Sequence, residues 1–395
     1  MEPVAPPVRP RLVILQPTAL CNLNCRYCYL PDRRDNVHMS DEVLEASVAF
    51  VFACDLDGRE VEFLWHAGEP LLAGLPFYRR AFSMIAVRAP KGVRVRHTIQ
   101  TNGTLLNQDW CDLFSQFHVE IGVSVDGPAE IHDRSRLTWS GKGTHAKVME
   151  GFNVLRRNGI PAGAICVLTR ESLKWPDRIY DFFKGAGFNS IAFNVEESEG
   201  IHHRSGLQDV AAEEIQVSYE SFMRRIWHRW RSDTSRMVIR EFKQTLGCMA
   251  LLQENPAFVR VPPEVAPFTI ITIRRDGGLS TFCPELASTP CPEYGTFVIG
   301  NVLTDTPSQV AASAPFVKLY RDIAIGQQRC KESCEYFALC GAGFQSNRFT
   351  EHGTFHATET LTCRLHRKTL IDVITDELVV ESRAIRETAT ASAGA

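Results

Sequence analysis

Six short apolar runs, each followed by a stretch with helical character, fill the first half of this 395-residue chain. The runs cover residues 11–16, 61–65, 94–100, 120–125, 161–168 and 190–195. Strands that alternate with helices are joined by crossovers, so they lie parallel, and the crossovers are right-handed. The fold class is therefore α/β. One helix opens at Ser40, whose hydroxyl is placed to cap it. Asp41 and Glu42 sit in its first turn, where the helix dipole favours anions. Its residues Val43, Leu44, Ser47, Val48 and Val51 share one face. Further helices are predicted over 76–88, 108–117, 145–158 and 176–185, with Gly159 closing the third of these. Function in such folds gathers at the C-terminal ends of the strands.

The end of the first strand leads into Cys21, Cys25 and Cys28, spaced C-x3-C-x2-C. Three thiolates on one loop can hold three irons of a cubane [4Fe–4S] cluster and leave the fourth open. A structural zinc site is the plainer alternative. Zinc usually takes four ligands as two spaced pairs, and no further His or Cys stands at such spacing nearby. The spacing, with Tyr27 before the third cysteine, resembles the signature of the radical S-adenosylmethionine (SAM) superfamily. That resemblance implies a partial (β/α)6 barrel and SAM chelated by the open iron. It also implies a 5′-deoxyadenosyl radical as the reactive species.

The other strand ends agree. His66-Ala67-Gly68-Glu69-Pro70 resembles the superfamily's GGEP element, with Ala67 in place of the first glycine. There the backbone and the glutamate bind the SAM amino group, a charge-assisted contact. The same resemblance assigns Gln100, Asn102 and Ser124 to the SAM ribose or carboxylate. It assigns Arg136 to the carboxylate as a bidentate fork, with a salt bridge as the equal alternative. Val167 is assigned to the adenine, with an ordinary core position as the alternative.

Composition narrows the setting. The net charge of −3 gives no reason to expect nucleic acid or an anionic membrane as partner. No apolar run approaches a membrane span, and the N-terminus lacks the regions of a signal peptide. Thirteen cysteines in a chain with ample core material suggest a reducing, cytoplasmic setting with thiols spent on metal. Cys54, Cys111 and Cys166 lie in apolar stretches and are expected to be buried.

The second half differs in character. A long helix near 211–231 precedes an expected boundary, giving a barrel over 11–235 and a smaller region over 236–385. Residues 1–10 and 386–395 are expected to be a disordered lead and tail. The small region has a hairpin candidate over 268–282, turning on Asp276-Gly277-Gly278. A second cysteine set follows: Cys330, Cys334, Cys340 and Cys363. It resembles the SPASM extension of peptide-modifying radical SAM enzymes, which holds auxiliary [4Fe–4S] clusters. A four-cysteine zinc site is the alternative. The full SPASM pattern has a further cysteine four places after Cys340, where Phe344 stands. Only Cys283 and the doubtful Cys248, with Cys291, remain for another cluster, or all three are free thiols.

Residues 353–365, 280–286 and 294–301 resemble the cyclophane-forming peptide maturases. That likeness implies hydrogen abstraction from a side-chain Cβ of a ribosomally made precursor peptide and a carbon–carbon bond to an aromatic ring. Glu285 is then a candidate proton acceptor, with a solvated or salt-bridged Glu as the alternative. A flavodoxin or ferredoxin is the expected low-potential electron donor. The peptide is expected in the barrel mouth or along a sheet edge of the second region. A sulfatase-maturing enzyme that makes formylglycine is the alternative activity. A non-catalytic metal scaffold that binds a peptide is a third.

Overall fold

The structure, a computed structural model, describes residues 6–56, 60–234, 237–287 and 289–393. The six expected strands form as β1 (Leu12–Leu15), β2 (Glu60–Trp65), β3 (Arg94–Thr101), β4 (Glu120–Ser124), β5 (Ala162–Leu168) and β6 (Ser190–Val195). They lie parallel and in sequence order. The chain then adds four strands to the same sheet. β7 (Val238–Ile239) extends the β6 edge, and β8 (Ile270–Ile273) pairs in parallel with β1. β9 (Gly278–Thr281) and β10 (Gly300–Asn301) follow antiparallel beyond β8. The order runs from β10 at one edge to β7 at the other, so the sheet is open. The β8–β9 pair is the expected hairpin.

Helices cover the sheet where the sequence placed them. Ser40 accepts a hydrogen bond from the Val43 amide and caps Asp41–Phe52. Leu75–Arg88 packs its aromatic face on β2: Trp65, fully buried, meets Phe77, Tyr78 and Phe82 edge-on at 5.9, 5.2 and 5.8 Å. Each such pair adds about 0.5–1.5 kcal/mol beyond the area it buries. Cys54, Cys111 and Cys166 are buried as expected. Among the described residues no helix is long and apolar enough to cross a membrane.

Three features differ from the sequence reading. Arg240–Glu254 and Ala314–Ser333 are long helices that the reading did not mark. In the second, Phe316, Leu319, Ile323, Gly326 and Cys330 fall on one buried face, so helical periodicity is what turns Cys330 inward. The last helix, Leu370–Ala393, runs through most of the stretch expected as a disordered tail. Its Ala, Glu and Arg content favours helix.

Candidate active site

The cysteine loop leaves β1 and is pinned at its start. The Thr18 hydroxyl donates to the Val37 carbonyl at 2.9 Å and accepts from the Leu20 amide. A strap after β4 holds the loop's outer side. The Asn24 amide donates to the Leu137 carbonyl and the Arg26 amide to that of Ser135. The Trp139 indole donates to the Cys21 carbonyl at 2.9 Å. Cys21, Cys25 and Cys28 all line one cavity at the C-terminal ends of the strands.

Burial pushes the Cys21 thiol up to about 12, with Glu69 adding to the effect. Burial likewise pushes Cys25 up to about 11, against the pull of the Arg136 charge. Such thiols ionise only beside added positive charge, which the irons of a cluster supply. Three soft thiolate donors around one cavity suit an iron–sulfur cluster. Among the described residues no three His, Cys, Asp or Glu side chains close around a point as ligands of a single ion would. A cubane instead spreads its ligands over separate irons.

Gly68, Gln100, Asn102, Ser124, Arg136 and Val167 line the same cavity as the cysteines, as does Tyr27. Gln100 donates to the Ser124 hydroxyl at 2.9 Å. Gly68 has φ +82°, and a Cβ there would lie 2.6 Å from the Thr18 carbonyl oxygen and 2.8 Å from that of Leu20. Only glycine lets this turn pack against the cysteine loop.

Two expected residues stand back from the cavity. Glu69 is fully buried and not part of the lining. Its oxygens accept from the Leu71 amide, the Thr101 hydroxyl and the Asn102 amide at 3.0, 2.7 and 2.7 Å. It braces the ends of β2 and β3, and burial lifts its carboxyl to about 7. Pro70 starts a short 3-10 helix behind it. Arg136 is a buried ion pair as well as a wall residue. It donates from Nε and Nη2 to Asp126, both at 3.1 Å. Asp126 also accepts from the Tyr27 hydroxyl and, at 2.9 Å, from the Val167 amide. Sequence reasoning passed over Asp126, which ties three of the expected residues together.

It also passed over Glu197 and Glu199, which line the cavity beside Glu285. They follow β6 directly, and an acidic run at a strand's C-terminal end was the available signal. Burial raises Glu285 to about 7. It raises Glu197 to about 8, helped by Glu285 and opposed by Thr362 and Asn347. Glu199 stands well above the carboxylate range through burial and the charges of Glu197 and Glu285. The Ser346 hydroxyl donates to it at 2.7 Å.

The second cysteine set gathers elsewhere. Cys330 comes from the helix Ala314–Ser333, Cys334 caps it, and Cys340 ends a short turn of helix. Cys363 precedes a π-helical stretch, Arg364–Thr369. Burial pushes Cys363 up to about 12, with Cys340 the next contributor. Cys330 is raised by burial and by Cys340 and Cys334, and held down by Arg348, which donates to its sulfur at 2.9 Å. Cys283 is buried against Glu285, Glu264 and Glu199 in a second cavity. Cys248 lies on the helix Arg240–Glu254 and lines neither cavity.

Comparison with known proteins agrees with this geometry. Residues 15–183 match the model of the Radical SAM superfamily. An uncharacterized protein of Synechocystis is 40% identical over 367 residues, 92% of this chain and 90% of that protein. A serine-type anaerobic sulfatase-maturating enzyme of Bacteroides thetaiotaomicron is 28% identical over 372 residues, 88% of this chain and 85% of its own length. The fold matches native anSMEcpe with bound AdoMet and Cp18Cys peptide at TM-score 0.75 and 22% identity, covering 95% of this chain and 99% of that one. It also matches Streptococcus suis SuiB bound to precursor peptide SuiA at 0.59 and 14%, covering 90% and 76%.

Residues 15–183 belong to the Radical SAM superfamily. The chain is an enzyme of radical chemistry, which sets aside the non-catalytic scaffold. Its cofactors are SAM and the [4Fe–4S] cluster that binds it.

Proposed function

We propose that this enzyme oxidises a side chain of a ribosomally made peptide and closes a carbon–carbon crosslink from a Cβ to a nearby aromatic ring. The observation that carries this reading is the meeting of three thiols with Glu197, Glu199 and Glu285 in one cavity wall. Cys21, Cys25 and Cys28 hold the SAM cluster, and Cys330, Cys334, Cys340 and Cys363 hold the auxiliary one. Bound there, the cluster and SAM would supply a 5′-deoxyadenosyl radical able to take one hydrogen atom from the peptide.

The chain's own residues do the rest. Tyr27, Asp126 and Arg136 fix the floor. Gln100, Ser124, Asn102 and Val167 surround the nucleoside, and the turn at Gly68 presents backbone to the SAM amino group. Forming the new bond and restoring the ring would release one proton and one electron, the electron passing to the auxiliary cluster that Cys330, Cys334, Cys340 and Cys363 would hold. Glu285 accepts the proton, with Glu197 and Glu199 beside it to pass it on. Burial holds Glu285 near neutrality, where an acceptor works best. A flavodoxin or ferredoxin in the cytoplasm is the electron donor.

Formylglycine formation is the second reading, favoured by the likeness to the Bacteroides sulfatase-maturating enzyme. Mass spectrometry separates the two after anaerobic co-expression with candidate precursor peptides. A crosslink gives loss of two hydrogens, a stretch that resists backbone fragmentation and no reaction with a hydrazine probe. Hydrazine reactivity with normal fragmentation would establish formylglycine instead.

A further inference from the structure

We propose that the second cavity binds a carboxylate of the substrate, held by Arg260 and Arg367; this rests on the reading that the substrate is a peptide. The cavity, of about 330 Å³, adjoins the cysteine cavity, and Asn194, Glu197, Glu199 and Glu285 belong to both walls. A peptide that presents its reacting carbon to the first cavity thus has a flanking group within reach of the second.

Arg260 and Arg367 line this cavity, and neither forms an ion pair among the described residues. Arg367 gives one hydrogen bond, from Nη1 to the His366 carbonyl at 3.2 Å, while its buried Nε has no partner. Arg260 and Arg240 are close enough for their charges to oppose that of Arg367. Arg240 is satisfied: it bonds Glu241 at 2.7 Å and Asn194 at 2.6 Å. Glu264, on the same wall, answers Arg367 without pairing with it, and one of its own oxygens is likewise buried and unpartnered. Arg260 and Arg367 thus stand on the wall without a carboxylate at pairing distance among the described residues, and the buried, unpartnered Nε of Arg367 is costly unless a ligand supplies its acceptor. A carboxylate does so and matches the guanidinium fork.

The wall also looks built for this. Phe344, which breaks the expected cysteine pattern, puts its ring beneath Arg367, 4.8 Å from the guanidinium carbon. That contact holds the charged plane in place. Burial raises both Glu197 and Glu199 above the ordinary carboxylate range, which weakens their negative charge on this wall.

The test uses cluster-loaded protein with SAM and no reductant, offered short random peptides with free or amidated C-termini. Retained peptides are then sequenced. Enrichment of Asp and Glu in the amidated pool assigns the carboxylate to a side chain; retention confined to the free-acid pool assigns it to the C-terminus. Arg260→Gln should lower either preference about tenfold, the loss of one ion pair, with the cluster spectrum unchanged. In the unaltered protein, N-acetylaspartate amide should displace the peptides and N-acetylasparagine amide should not. Peptides retained with no carboxylate preference, or one that survives Arg260→Gln, would overturn the proposal and leave the peptide reading standing. Retention of no peptide from either pool would overturn both.

Discussion

At the residue scale the decisive groups are buried charges that cannot settle on their own. Cys21 and Cys25 are held as thiols by burial until positive charge arrives. Glu285 is held near 7 by the same desolvation. The sign for activity follows. A proton acceptor must be ionised, and burial has moved the ionisation of Glu285 up from the ordinary carboxylate value. Product formation should therefore rise with pH through about 7 and level above it. Glu285→Gln should remove that limb and lower peptide modification by about a hundredfold. SAM cleavage to 5′-deoxyadenosine should continue in this variant. A pH profile that Glu285→Gln leaves unchanged would remove Glu285 from the reaction.

At the element scale, turns position the site more than strands do. The turn after β2 fits against the cysteine loop only because Gly68 lacks a Cβ. Gly68→Ala places a methyl against two backbone carbonyls, so SAM affinity measured by equilibrium binding should fall at least about tenfold. Unchanged affinity would show that the turn does not set the pocket. The six parallel strands were legible because each is a compact apolar run between helices. The cysteine spacing was legible because a cluster ligand set is local in sequence. Asp126 and the Glu197–Glu199 pair were not, because their roles arise from crossovers that bring separate strand ends together. The motif marked Glu69 as a SAM ligand, and its three hydrogen bonds to the ends of β2 and β3 could not be read from the motif. The helix Ala314–Ser333 escaped notice although its inward face is regular, and it is this helix that delivers Cys330.

At the scale of the whole molecule, the sheet is continuous through both halves of the chain. β8 lies directly against β1, the strand that carries the cysteine loop. The hairpin that follows brings Cys283 and Glu285 to the cavity wall, and the π-helical stretch after Cys363 brings His366 and Arg367 to the neighbouring one. The further auxiliary cluster that the sequence left in doubt finds no cysteine other than Cys283 in this wall, which carries arginines, glutamates and Phe344. The account thus assigns two cysteine sets two separate tasks. The direct test is anaerobic SAM cleavage with dithionite, comparing Cys25→Ala with Cys330→Ala. The account predicts no 5′-deoxyadenosine from Cys25→Ala. It predicts near-normal 5′-deoxyadenosine, with peptide modification lost, from Cys330→Ala. SAM cleavage that survives in Cys25→Ala would contradict it.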